Sequence, residues 1–304
     1  MGKFVYFNGE FVGKEQAVIP VATHGFLYGT SVFEGIRAYY NEEENCMYAF
    51  RLKEHYERFL RSAKIMRIEI GKTVDELCTI TEELLRRNNY HCDVYIRPTA
   101  YKSHESVRTH MLNGTDGLVI FSVELGETLA CEKGLSVCVS NWRRTGDNAI
   151  PPRAKIGGAY ANTALVATDA KLAGFDEAIT LAENGEVMEG STMNLFLVMD
   201  GKLVTTASNC GILEGITRNT IIDIAKTKGL EVEQRRIQRS ELYFAQEAFF
   251  CGTSAQLCMI TSIDNRAVGD GKIGEVSRML QQEYFNVVRG KNPQYEKWCT
   301  KVYD

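Results

Sequence analysis

The chain has 304 residues, 44% of them apolar and 24% charged, which excludes a disordered polypeptide and suffices for two domains with cores of their own. A formal net charge of −4 leaves no basic excess for nucleic acid, so small molecules are the expected partners. No stretch approaches the roughly 20 apolar residues of a membrane span, and Met1 to Val12 lacks the apolar run of a secretory leader, which points to a cytoplasmic protein with no membrane partner. Nine cysteines, odd in number and without a Cys-x-x-Cys pair, suit neither a disulfide framework nor a structural zinc site; they read as reduced thiols, with no metal.

Phe4 to Phe7 and Glu10 to Val12 flank Asn8-Gly9, a pair that readily takes the positive φ angles of a tight turn, and so predict a β-hairpin. Apolar residues then recur at helical spacing through Leu52, Tyr56, Phe59, Leu60, Ala63 and Met66. Thr73-Val74-Asp75-Glu76 reads as a capping box for a second helix carrying Leu77, Ile80, Leu84 and Leu85. Strands are expected at 94–97 and 118–123, followed by an aperiodic stretch from Leu125 to Gly134. Beyond it come a strand at 135–139, a helix at 159–173 stopped by Gly174, and strands through 179–204 broken at Asn184-Gly185 and Asp200-Gly201. A helix at 217–228 is closed by Gly229. Strands and helices alternate irregularly, which favours an α+β architecture of two domains: a small N-terminal domain (1–123), a linker (124–134) and a larger C-terminal domain (135–304).

Four features carry chemistry. Lys155 stands before Gly157-Gly158 at a helix entrance; Gly215-Ile216-Thr217 opens a helix whose free N–H groups suit a phosphate. Thr253-Ser254 lies in a small-residue turn after the apolar Phe249-Phe250-Cys251, and Glu189 is a carboxylate in an apolar strand region. Each alone has an ordinary reading: a solvated lysine, a helix cap, a loop, an edge-strand solubiliser. Together they are the parts that pyridoxal phosphate requires, an imine partner, a counter-charge for the ring nitrogen and a phosphate cup.

The residues then match a known family. Over nearly its whole length the chain resembles the bacterial branched-chain amino acid aminotransferases, of the fold-type IV pyridoxal-phosphate enzymes. The resemblance rests on the run from His24 to Arg37, on Tyr95-Ile96-Arg97-Pro98, on Ala154 to Tyr160, on Glu189-Gly190, on Leu213 to Arg218 and on Gly252-Thr253-Ser254-Ala255. It implies a D-amino acid aminotransferase-like fold, with a small N-terminal α/β domain, a larger C-terminal domain and pyridoxal 5'-phosphate between them. Lys155 is then the Schiff-base lysine, Glu189 the partner of the ring nitrogen and Tyr160 that of the phenolic oxygen. Arg58, on the flank of the first helix's apolar stripe, is expected at the phosphate with Ile216, Thr217 and Thr253. Tyr28, Phe33 and Tyr160 are expected to form an apolar surface for the substrate, lined also by Gly35 and Arg37. Tyr95 and the Thr253-Ser254 turn would take the α-carboxylate, and Arg97 the glutamate side chain. The implied reaction passes the amino group of leucine, isoleucine or valine to 2-oxoglutarate, and the implied assembly is at least a homodimer.

The match weakens at 101–117, which is unusually charged, and at 125–131, which is short and lacks an aromatic residue. Ser254 and Cys258-Met259 also depart from the common pattern. Alternatives of the same fold are a D-amino acid or (R)-amine transaminase and an aminodeoxychorismate lyase; a non-catalytic binding module is the alternative of another class.

Overall fold

The structure, a computed structural model, describes residues 1–126 and 133–303. These fall into two compact units: Met1–Gly126 with Ala154–Gly158 and 286–303, and 133–153 with Ala159–Phe285. The expected linker at 124–134 falls largely on 127–132, outside the described residues. The division departs from a cut into 1–123 and 135–304, because Ala154–Gly158 and the C-terminal segment belong to the first unit. Both are assigned there by pairing remote in sequence, which local pattern cannot signal.

The first unit contains β1 (Phe4–Phe7), β2 (Glu10–Gly13), α1 (His24–Tyr28), β3 (Ser31–Phe33), β4 (Ile36–Asn41), β5 (Cys46–Phe50), α2 (Leu52–Ile65), α3 (Val74–Asn88), β6 (Val94–Lys102) and β7 (Asp116–Glu124). Its sheet runs β5-β4-β6-β7-β1-β2, with Cys299–Lys301 antiparallel to β5 at one edge and β3 paired to β6. The hairpin forms as expected, Phe7 facing Glu10 across the two-residue turn. Thr73 caps α3 by accepting from the Glu76 N–H at 3.2 Å, while Glu76 accepts from the Thr73 N–H at 2.7 Å. The buried face of α2 carries Leu52, Tyr56 and Phe59 and also the polar His55, Arg58 and Ser62. Polar groups on a core-facing stripe need partners, and these three find theirs at the candidate site.

The second unit contains β8 (Leu135–Arg143), α4 (Tyr160–Leu172), β9 (Glu177–Leu181), β10 (Val187–Gly190), β11 (Asn194–Met199), β12 (Lys202–Thr206), α5 (Ile216–Thr227), β13 (Val232–Arg235), β14 (Glu247–Gly252), β15 (Gln256–Ile263), β16 (Arg266–Ala267) and all but the last three residues of α6 (Glu275–Val288). The sheet order is β10-β9-β8-β15-β14-β11-β12-β13. β8 runs parallel to both β9 and β15, and β12 parallel to β13; the other pairs are antiparallel, as in an α+β sheet. Residues of β9 and β11 are buried without alternation, so this sheet is covered on both faces. One face packs Leu195, Leu197, Val137, Ile179, Phe250 and Ile260; on the other, Phe196 stacks on Phe249 at 5.1 Å between centroids. Cys46, Cys78, Cys92, Cys138, Cys210, Cys251 and Cys299 are free thiols as expected, whereas Cys258 is disulfide-bonded, against expectation.

Candidate active site

In the first unit the side chains of β6 alternate: Val94, Ile96 and Pro98 are buried, while Tyr95, Arg97 and Thr99 line a half-buried face. The antiparallel register sets Arg37 opposite Tyr95 and Phe33 opposite Thr99. Phe33, Arg37, Tyr95 and Arg97 therefore project from one face of the sheet. The Arg97 guanidinium lies 4.3 Å from the Phe33 ring centroid and 5.1 Å from that of Tyr95, within cation–π range. Lys155 Nζ stands 4.9 Å from the same Phe33 ring.

The backbone at Lys155 is pinned from two elements. Its N–H donates to Ser62 Oγ on α2 at 3.2 Å, its carbonyl accepts from the Phe33 N–H at 3.0 Å, and Ile156 bridges Val32. The following glycines answer a steric demand: a Cβ at Gly157 would sit 2.3 Å from Ser31 Oγ, and one at Gly29 (φ +65°) 2.7 Å from the Gly158 Cα. Gly35 abuts Tyr95, its hypothetical Cβ 2.4 Å from the phenol oxygen. Tyr28 donates its hydroxyl to the Val107 carbonyl at 2.6 Å, and Arg37 Nη2 donates to the Gly126 carbonyl at 2.8 Å.

Arg58 is buried in a two-point ion pair, Nε to Glu34 Oε1 at 2.7 Å and Nη2 to Oε2 at 2.8 Å, and His55 Nδ1 reaches Oε2 at 2.7 Å. Burial by itself would raise the Glu34 pKa, but the Arg58 guanidinium and the His55 bond outweigh it and hold the carboxyl well below the usual range. For His55 burial is the main influence, and it pushes the imidazole pKa down.

In the second unit Glu189 lies on β10 at the end of the sheet, yet is only 4% exposed, so it is no edge-strand solubiliser. Arg144 Nε donates to Glu189 Oε1 and Asn194 Nδ2 to Oε2, both at 3.0 Å. Ile216 and Thr217, both buried, open α5; its N-cap is Gly215, which offers no side chain to the first-turn N–H groups. Thr253 and Ser254 lie in the turn that the Gly252–Gln256 pair closes between β14 and β15. Tyr160 is the first residue of α4.

Thus Phe33, Tyr95, Arg97 and Lys155 cluster in the first unit, which also holds Arg58 on α2, while Tyr160, Glu189, Ile216, Thr217, Thr253 and Ser254 are parts of the second. Glu34, His55, Ser62, Arg144 and Asn194 are not among the residues expected at the site from the sequence. A signal existed for two: His55 and Ser62 interrupt the apolar stripe of α2 at helical spacing from Arg58. Among the described residues no cluster of His, Cys, Asp and Glu could hold a metal, and no helix is long and apolar enough to cross a membrane.

Residues 31–263 match the amino-transferase class IV family, to which the chain belongs. That span takes in every expected site residue except Tyr28. Within the class the likeness is narrower. The chain is 46% identical to the probable branched-chain-amino-acid aminotransferase of Aquifex aeolicus, over 99% of this chain and 97% of that one. The branched-chain amino acid aminotransferase of Thermobaculum terrenum in its PLP form superposes with a TM-score of 0.95 at 38% identity, covering 100% of this chain and 99% of that one. The branched-chain aminotransferase of the thermophilic archaeon Thermoproteus uzoniensis, solved with norvaline, also gives 0.95, at 39% identity and over 100% of both chains. These relatives place the chain among the branched-chain-amino-acid aminotransferases, with the fold-type IV architecture expected.

Proposed function

We propose that the chain transfers the amino group of leucine, isoleucine or valine to 2-oxoglutarate, giving branched-chain 2-oxo acids and L-glutamate, with pyridoxal 5'-phosphate as cofactor. The observation that carries the reading is the shared Phe33 ring: Lys155 Nζ and the Arg97 guanidinium both stand against it, at 4.9 and 4.3 Å. An aliphatic side chain finds an apolar surface there, and a γ-carboxylate finds a cation at its edge.

The donor set fits the cofactor. Lys155 supplies the primary amine for its carbonyl carbon and Glu189 an ionisable carboxylate for its ring nitrogen. The N-terminus of α5 with Thr217 suits a phosphate, and Arg58 and Thr253 would be its further donors. Tyr160 would donate to the phenolic oxygen. Pyridoxal phosphate, when bound, supplies a ring that takes up the electron pair released at the substrate Cα. There the Glu189 carboxylate would hold a proton at the ring nitrogen, and the Lys155 amine would take the proton from the substrate Cα. Tyr95 and the Thr253-Ser254 turn orient the α-carboxylate, while Tyr28, Phe33, Gly35 and Arg37 exclude water around the side chain.

Replacing Lys155 by Ala should lower leucine–2-oxoglutarate turnover by at least about 10⁴-fold with the melting profile retained, since both the covalent and the proton-transfer roles are lost. Near-normal turnover would refute the assignment. Assays with D-alanine, with an (R)-amine, and for pyruvate release without an acceptor separate the other reactions of this fold. The proposal extends to a homodimer, supported by exposed apolar residues about α1, and to the cytoplasm, supported by the seven free thiols that stand beside one disulfide-bonded cysteine, Cys258, among the described residues.

A further inference from the structure

A carboxylate withdrawn from water tends to take up a proton, and Glu189 has to resist that while keeping a fixed direction. We propose that Arg144 and Asn194 are positioning residues for Glu189, the first holding its charge and the second setting its distance from the start of α5. The inference rests on the reading of Glu189 as partner of the ring nitrogen. Arg144, Glu189, Asn194 and Thr163 are buried together, each 8% exposed or less. Each carboxylate oxygen has a donor of its own, Arg144 Nε on Oε1 and Asn194 Nδ2 on Oε2. Arg144 is anchored in turn: its Nη1 donates to Thr163 Oγ1 at 3.2 Å, and that hydroxyl donates to the Ser191 carbonyl at 3.3 Å. Arg218, on the first turn of α5, is buried as well, and Glu189 is the weakest of the charges that act on its guanidinium.

Asn194 does more than hold the carboxylate. Its Nδ2 also donates to the Leu213 carbonyl at 2.9 Å, so both amide protons are committed, one to β10 and one to the segment entering α5. On its other side, a Cβ at Gly215 would lie only 2.0 Å from Asn194 Oδ1, so the side chain is packed directly on the N-cap. One amide thus spans from the group that would hold the ring nitrogen to the helix that would receive the phosphate. Aspartate has no protons to donate there and would repel Glu189; alanine would leave the spacing unset.

The test compares Arg144→Gln, Arg144→Lys, Asn194→Ala and Glu189→Gln as holoenzymes. The readouts are leucine turnover against pH, the cofactor retained through dialysis measured by its visible absorbance, and melting temperature. Arg144→Gln should lower kcat by about 10- to 100-fold, as loss of an outer partner typically does. It should also raise the acid limb of kcat/KM by about one pH unit or more, because buried Glu189 then gains a proton more readily. Arg144→Lys keeps the charge and should return the limb to its wild-type position. Asn194→Ala should weaken cofactor retention by about tenfold, the loss of one charge-assisted hydrogen bond.

A wild-type limb and kcat in Arg144→Gln, or wild-type retention in Asn194→Ala, would overturn the proposal. Should Arg144→Gln fail to fold, Arg144→Lys decides: a wild-type limb supports the charge-holding role, and a limb raised by a unit overturns it. Glu189→Gln separates two failures. If it turns over normally, the reading of Glu189 falls and this proposal with it; if it is impaired while Arg144→Gln is not, this proposal alone falls.

Discussion

For the phosphate contact proposed for it, Arg58 needs a fixed guanidinium plane, and Glu34 fixes it. The carboxylate is fully buried and receives three donors, two from Arg58 and one from His55. Glu34→Gln would leave the buried guanidinium without its counter-charge, and is expected to destabilise the protein by about 3–5 kcal/mol at pH 7. The sign of the pH dependence follows from the depressed Glu34 pKa. Unfolded glutamate titrates near 4.3, so the pair's contribution is present above that pH and is lost as pH falls toward the lower folded value. His55 acts in the same sense: with a folded pKa below the unfolded value of about 6.5, acidification through that range favours the unfolded state. Melting temperatures of wild type and Glu34→Gln should differ by several degrees at pH 7, and the gap should begin to narrow as pH falls below about 4.3. A constant gap down to pH 3 would refute the assignment of the charge. Glu34 stands within the run from His24 to Arg37, yet nothing local distinguishes it from a solvated glutamate. Its partner lies 24 positions along the chain, and only the fold brings the two together.

Where a segment's pattern is local, the elements were legible. The Asn8-Gly9 hairpin, the Thr73 capping box and the helices ended by Gly174 and Gly229 all lie where turn and cap chemistry puts them, within a residue or two at their ends. β4, by contrast, is buried at five of its six positions, so it lacks the alternation by which a strand is recognised. The C-terminal Cys299–Lys301 strand is too short to carry a pattern and exists because β5 offers an edge. The segment bearing Lys155 is an intermediate case. Its two glycines were visible, but their reason, the close approach to Ser31 and Gly29, was not. Gly29→Ala should therefore act on Lys155 at a distance. The substitution forces an L side chain into positive φ and a Cβ onto the Gly158 backbone, which costs about 1–3 kcal/mol and displaces the lysine. Melting temperature and retained cofactor should both fall; normal values of both would show that the approach is not constraining. At α5, Thr217→Val removes one hydroxyl from the proposed phosphate cup. Cofactor affinity should drop by about tenfold while the melting temperature of the cofactor-free protein stays within a few degrees, and an unchanged affinity would remove Thr217 from the cup.

At the scale of the whole molecule, the charged stretch 101–117 is better explained than the sequence suggested. Lys102 is buried, its ammonium donating to the Arg67 carbonyl and pairing with Asp116 at 2.9 Å, so part of the charge closes the base of the loop. Further out, His104 stacks on His24, whose ring also meets the Thr30 hydroxyl and the Arg108 carbonyl. The loop is thereby held against α1, and Tyr28 completes the attachment at Val107. What this leaves outward is apolar: Val21 is 82% exposed, Val107 80%, Phe26 67%, and Leu27 and Tyr28 each 41%. Scattered apolar residues need no account, but a run clustered on adjoining segments and including an expected substrate residue calls for a covering surface. A second copy of the chain is the proposed cover, since a self-complementary patch closes a dimer without leaving further sticky surface. Sedimentation at micromolar concentration should give a dimer for the wild type. Phe26→Asp with Val107→Asp should dissociate it, because each charge would have to be desolvated unpaired in the interface. Dissociation should carry a loss of leucine turnover through Tyr28, restored in part at higher protein concentration. A wild-type monomer with full activity, or a double variant that remains dimeric, would show that the patch serves some other contact.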